Sequence, residues 1–231
     1  MRLYMPDMNA AADKRIRLDK EQENHVKVRR IEMGEEIVLF NEHDGDWAGI
    51  LADSKHVVLQ AQKRPVQNVP DLWLIQALIA KDRFAMVAEK ATELGVAALL
   101  PITTRYTQGV NLNLDRTQQH MIEAAQQCER NVIPELKKTQ GLLALLSAWD
   151  ATRTLYVAME RMDAASAAKT FTSDKAAILI GPEGGFSEEE KEILAQHRAV
   201  KFFSLGPRIL RAETAAITAL SVWQSAAGDC K

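Results

Sequence analysis

A chain of 231 residues, 47% hydrophobic and 26% charged, is long enough for one large domain or two unequal ones and apolar enough for a sizeable core. Its 29 basic and 31 acidic residues leave a formal charge of -2, which excludes a uniformly basic nucleic-acid binder, so any phosphate contacts must come from local clusters. No apolar run reaches membrane-spanning length, the opening MRLYMPDMNA lacks the basic-then-apolar order of a secretion signal, and two cysteines make no disulfide framework; a soluble, cytoplasmic protein is expected.

The first stretch, up to about residue 68, carries short β-type runs at 2–5, 37–40, 47–51 and 57–62, with a turn at Glu42, His43, Asp44 and Gly45. Short runs at this spacing suit a small barrel. Positive charge is clumped at Lys14, Arg15 and Arg17, which reads as a solvated face, and at His25, Lys27, Arg29 and Arg30, which is the denser candidate for a phosphate contact. Residues 63–70, with two prolines and no periodic pattern, read as a linker. The expected division is therefore 1–70 and 71–231.

Beyond residue 71 strands and helices alternate. A strand is expected at 72–77; Phe84, Val87, Ala88, Ala91 and Leu94 then recur at helical spacing, with Gly95 where a C′ residue belongs. A strand at 96–100 is expected to end at Pro101. The spacing predicts a helix over 115–131, with Met121, Ile122, Ala125 and Cys128 on one face and Glu123, Gln127 and Arg130 on another. Strands at 155–159, 176–180 and 200–204 bring the count to about five, which implies a parallel sheet covered on both faces. The five histidines lack ligand spacing, and no metal is expected.

Two stretches share one design. AAILIGPEGGFS, residues 176–187, passes from an apolar run into a turn of Gly181, Pro182, Gly184 and Gly185, then to Ser187 as N-cap with Glu190 as the returning half of a capping box. FFSLGPRILRAETAAITAL, residues 202–220, passes through Gly206 and Pro207 to Ile209, Leu210, Arg211 and Glu213 at the mouth of a helix running towards Trp223. Such turns at the carboxyl ends of parallel strands face one crevice, where open α/β sheets bind ligands. Either turn alone is ordinary loop punctuation, but Glu183, Arg211 and Glu213 place charge in otherwise apolar surroundings. Neither turn is a dinucleotide fingerprint or a P-loop.

These two stretches, together with KATELGV at 90–96 and EAAQQCER at 123–130, resemble the RsmE-type ribosomal RNA methyltransferases of the SPOUT (trefoil-knot) superfamily. The resemblance covers the chain from about residue 72, and more loosely the HVKVRR stretch at 25–30. It implies a knotted α/β methyltransferase domain behind a PUA-like RNA-binding barrel, a homodimer, and transfer of a methyl group from S-adenosylmethionine to N3 of a uridine in 16S ribosomal RNA of the small subunit. By resemblance the cofactor is held by Leu179, Ile180, Gly181, Pro182, Glu183, Gly184 and Gly185 in the first loop and Leu205, Gly206, Ile209, Leu210, Thr214 and Ala215 in the second. N3 of uracil is protonated at neutral pH, so a base must take the proton or a cation must stabilise the anion. Arg211 is the candidate for the second role, with Glu213 orienting it or capping the helix. His25, Lys27, Arg29 and Arg30 are expected at the RNA, and Glu123, Gln127 and Arg130 at the RNA or the partner subunit. Two other readings fit the same residues: a non-catalytic RNA-binding or ribosome-assembly protein on this fold, and a transfer RNA methyltransferase of the superfamily.

Overall fold

The computed structural model describes residues 1–108, 111–159 and 165–230. Two compact units divide the chain: Met1–Asn68 with Ile122–Ile133, and Val69–Met121 with Pro134–Lys231. The short insertion into the first unit has a local cause. Tyr4 N donates to Gln126 Oε1 at 3.1 Å, Arg64 Nη2 to the Glu129 carbonyl at 2.7 Å, and Asn131 exchanges hydrogen bonds with Gln67 at 2.9 Å each way.

The first unit contains β1 (Arg2–Tyr4), β2 (Arg15–Arg17), α1 (Lys20–Val28), β3 (Glu36–Asn41), β4 (Gly45–Asp53) and β5 (His56–Arg64). They form a curled five-stranded half-barrel of order β1-β3-β4-β5-β2, antiparallel except for the β1–β3 pair. Register shifts between β4 and β5 supply the curl, because a bulge bends its strand and increases local twist. Leu3, Ile16, Leu18, Ile37, Leu39, Val57 and Leu59 fill the concave side. Helix α1 falls in a stretch without a helical apolar pattern: only Val26 of its nine residues is buried. Its start is nonetheless written locally, as a capping box in which Asp19 and Gln22 exchange hydrogen bonds at 2.8 and 2.9 Å.

The second unit runs β6 (Leu72–Ala77), α2 (Lys81–Glu93), β7 (Ala98–Thr103), α3 (Leu114–Gln127, whose last turns belong to the first unit), β8 (Glu135–Leu136), β9 (Gln140–Gly141), α4 (Leu142–Ser147), β10 (Thr154–Ala158), α5 (Ala167–Thr170), β11 (Ala176–Ile180), α6 (Glu188–Gln196), β12 (Val200–Phe203) and α7 (Ala212–Ala226). Its sheet is wholly parallel, in the order β12-β10-β11-β6-β7-β8 with β9 also on β7. All five residues of β11 are buried, as a central parallel strand requires. One face packs Ile75, Val157, Leu179, Leu142, Leu146, Phe186 and Leu194. On the other, α7 packs against α2 and β11.

Two local expectations need correction. Pro101 does not end its strand: β7 continues to Thr103. Leu78 N donates to the Ile102 carbonyl, so Pro101 faces the opposite edge, in the gap between β8 at 98–99 and β9 at 102–103, where no ladder hydrogen bond is lost. Helix α3 stops at Gln127 rather than 131, because Glu129 turns to φ 62. Leu220 and Trp223 of α7, apolar enough for a subunit contact, are 1% and 0% exposed within the single chain. Gly95 does terminate α2: at φ 78 it allows Val96 N to reach the Ala91 carbonyl and its own N–H to reach Thr92, a Schellman closure.

Candidate functional site

Both glycine turns leave the carboxyl ends of strands in one parallel sheet, β11 and β12, with β10 between them. After β11, Gly185 N donates to the Pro182 carbonyl at 2.9 Å, and Gly185 takes φ 67, a conformation side chains disfavour. Ser187 then caps α6. Glu190 Oε2 accepts from Ser187 N at 2.9 Å, and Glu190 Oε1 accepts from Arg105 N at 2.8 Å, so the capping carboxylate also anchors the loop that follows β7. That loop lays Tyr106 over the turn: a Cβ on Gly184 would stand 3.0 Å from Tyr106 Cβ. A side chain at 184 would therefore crowd the chain's own packing at Tyr106.

After β12, Ser204 bridges to Ser166 and its Oγ accepts from Gly206 N at 3.2 Å. Gly206 has φ 103 with open space where a Cβ would be. Residues 206–209 are exposed, Ile209 to 59%, while Leu205 and Leu210 are half-buried. Arg211 is the exposed N-cap residue of α7 and makes no side-chain capping bond. Thr214 is exposed and Ala215 half-buried on the first turn. Glu213 is buried, and its ion-pair partner is Arg83 in the first turn of α2, Nε to Oε1 at 3.8 Å, where orientation of Arg211 had been expected. Arg83 Nη1 also donates to Glu183 Oε1 at 3.0 Å. One guanidinium thus ties both glycine loops.

Two buried acceptors in this unit lack donors among the described residues: Glu213 Oε2 and Gln76 Oε1. Gln76, the last residue but one of β6, lies opposite Ile180, with its amide nitrogen donating to the Ala77 carbonyl at 3.0 Å. The unsatisfied acceptor of Gln76, open space around Gly185 and Gly206, and the exposed Ile209 beside bare backbone fit an adenosine-type cofactor, which needs an apolar slot with a few placed polar groups. Among the described residues no group of His, Cys, Asp and Glu could hold a metal ion, and no helix is long and apolar enough to cross a membrane.

The expected RNA residues divide. His25, Arg29, Glu123 and Gln127 line one cleft of about 1040 Å³ in the first unit, joined by Arg2, Lys63 and Arg64. Lys27 lines a separate cleft, and Arg30, at φ 55, is exposed beyond the helix. Arg130 does not share a helix face with Glu123 and Gln127: it follows the Glu129 break, is 7% exposed, and its carbonyl accepts from Arg2 Nη2 at 3.2 Å. At the cleft wall Asp46 accepts from Arg2 at 2.7 and 3.1 Å and from Arg64 Nε at 2.5 Å. Burial alone would raise its carboxyl pKa, but the hydrogen bonds from Arg2 and Arg64 outweigh it and hold the group below the ordinary carboxylate range.

Arg2, Asp46, Arg64 and Arg83 escaped the sequence reading. The first three meet only through strand pairing, which no local pattern records. Arg83 did leave a signal: Lys81 and Arg83 set positive charge in the first turn of a helix, against its dipole, and such an arrangement calls for compensating carboxylates.

Comparison with known proteins agrees with this geometry. The RNA methyltransferase domain family matches residues 66–224. Ribosomal RNA small subunit methyltransferase E of Rickettsia conorii is 30% identical, over 100% of this chain and 97% of its own length. A methyltransferase of Legionella pneumophila, solved with S-adenosylmethionine bound, is 32% identical with a TM-score of 0.86 and 97% of each chain covered. The Neisseria gonorrhoeae ribosomal RNA small subunit methyltransferase E shares the fold at a TM-score of 0.88 and 24% identity, covering 100% of this chain and 99% of its own.

Proposed function

The chain belongs to the RNA methyltransferase family, in the group of ribosomal RNA small subunit methyltransferase E, and on that premise we propose that it methylates N3 of a uridine in 16S ribosomal RNA, with S-adenosylmethionine as donor. The observation that carries the reading is the pair of glycine loops at the carboxyl ends of parallel β11 and β12, tied together by Arg83. The donor supplies an electrophilic methyl group on a sulfonium. The loop backbone of residues 179–185 and 205–210, with Thr214 and Ala215, holds it and excludes water. In-line displacement asks the protein chiefly for alignment. Arg211, exposed and without a capping role, is free to meet negative charge developing on the uracil.

Residues 1–70, joined by 122–133, serve as the PUA-like RNA-binding part, and the rest of 71–231 as the transferase. The cleft holding His25, Arg29, Glu123 and Gln127 supports an RNA surface in the first unit, with Lys27 and Arg30 flanking it on exposed ground. The family resemblance supports a trefoil knot, a cytoplasmic location and a homodimer. The dimer has support of its own: α7 carries one charged side chain, Glu213, in fifteen residues, and its outward positions Thr214, Ser221 and Ser225 are small and uncharged.

Incubating small ribosomal subunits with the chain and isotopically labelled S-adenosylmethionine, then mapping modified nucleotides by mass spectrometry, should find N3-methyluridine in 16S RNA. Label confined to transfer RNA would replace the substrate. RNA binding with no label anywhere would replace the enzyme by a binding protein.

A further inference from the structure

We propose that Glu213 takes the N3 proton from the acceptor uracil and that Arg83 is its positioning residue, a step that rests on the uridine-N3 reading above. The sequence offered no base for this proton; the structure offers one carboxylate placed for it. Glu213 stands in the first turn of α7, directly after the second glycine loop, and is 8% exposed. Its two oxygens are unequal. Oε1 lies 3.8 Å from Arg83 Nε, while Oε2 is buried and has no hydrogen-bond donor among the described residues. A buried carboxylate oxygen without a donor is costly, and such a group persists where a ligand supplies the missing partner.

The neighbours select the donor. Arg83 on α2 is the cation at Glu213, and it is shared with Glu183 of the first loop at 3.0 Å. The β11 strand brings only apolar side chains, and Lys169 of α5 is exposed. Arg83 thus fixes the orientation of the carboxylate through one oxygen, leaving the other for a neutral N–H such as the imide of uracil. The balance is simple. The N3–H bond breaks and its proton passes to Glu213 Oε2; the electron pair left on N3 forms the new N–C bond, while the pair of the broken C–S bond stays on sulfur. Glu213, now neutral, returns its proton to water after release.

Four variants test this. Glu213→Gln keeps the shape and cannot take a proton. Calorimetry should show its S-adenosylmethionine affinity unchanged, while single-turnover methylation falls by about a hundred- to ten-thousand-fold, the range for losing a general base. Its rate should also climb with pH through the range where uracil N3 ionises unaided, while the parent rate is level there. Glu213→Asp, which keeps a carboxylate, should retain the parent pH profile at reduced rate, and serves as the test should the Gln variant fail to fold. Arg83→Lys should recover more turnover than Arg83→Ala. Loss of cofactor affinity in Glu213→Gln would assign the oxygen to the cofactor and overturn the proposal. So would near-parental turnover, or a pH profile parallel to the parent's. A parent chain that binds no S-adenosylmethionine would instead defeat the methyltransferase reading itself.

Discussion

Asp46 meets two guanidinium groups with a carboxylate that is nearly sealed from water, its side chain 2% exposed. Removing it strands Arg2, 10% exposed, beside the Phe40 ring without its counter-charge. Asp46→Ala should therefore destabilise the chain by about 3 kcal/mol in urea titrations, the low end for breaking a buried pair. The pH dependence has a definite sign. Because the folded pKa is depressed, the contribution is complete above the unfolded value of about 3.9 and is lost as pH falls through the folded value. The stability gap between parent and variant should thus close on the acid side and be flat on the neutral side. Gly206 gives a second residue-level test. At φ 103 with open space around it, Gly206→Ala meets backbone strain and no clash, of about 1–2 kcal/mol. Relief of that strain moves the loop, so calorimetry should find cofactor affinity lowered by about tenfold with the melting temperature little changed. Gly184→Ala presses on half-exposed Tyr106, which can yield, and should matter less.

Among the elements, α1 and the residues that follow it carry a dense cluster of positive charge. The last turn of α1 places His25 and Arg29 at the 1040 Å³ cleft and Lys27 outside it. Replacing Lys27, Arg29 and Arg30 by Ala should weaken binding to a small-subunit RNA fragment and flatten its salt dependence, by about 0.7 log unit of slope for each phosphate of a single strand that is no longer neutralised. Most of the change should be reproduced by Arg29→Ala alone; an unaltered slope in the triple variant removes α1 from the RNA surface. The same helix shows where sequence reading stops. Elements whose apolar residues keep a period were legible: β11 spans 176–180 as read, and the Ser187–Glu190 capping box formed. Helix α1 has one buried side chain, so its pattern is silent and only the Asp19–Gln22 box announces it. Strand β7 runs past Pro101 because of what lies on its far edge, a fact about partners and not about the segment. The glycine loops were legible as turns, but the neighbour of Gly184 is Tyr106, some eighty residues earlier in the chain, and Arg83 joined the site only through packing of α2 on α7.

At the scale of the whole molecule, the question is what covers α7. A helix on the outside of a sheet ordinarily shows charge to solvent. Here the inward positions Ala216, Ala219, Leu220 and Trp223 are buried, with Trp223 Nε1 donating to the Ser173 carbonyl at 3.2 Å. The outward side offers Thr214, Ser221 and Ser225, with Ile217 and Val222 half-buried, and no charged residue. Small, neutral, partly apolar surface of this kind suits close approach of a second helix, which a family homodimer would provide. Sedimentation of the parent should give a dimer at micromolar concentration. Ser221→Arg, a change on an exposed side chain that disturbs nothing buried, should shift it to monomer with the melting temperature of each subunit's fold retained. A second arm asks whether the site depends on the pairing: because the first turn of α7 carries Thr214 and Ala215, the monomeric variant should lose S-adenosylmethionine affinity in calorimetry as well. A parent that sediments as a monomer would remove the dimer, and a Ser221→Arg dimer indistinguishable from the parent would move the interface off α7.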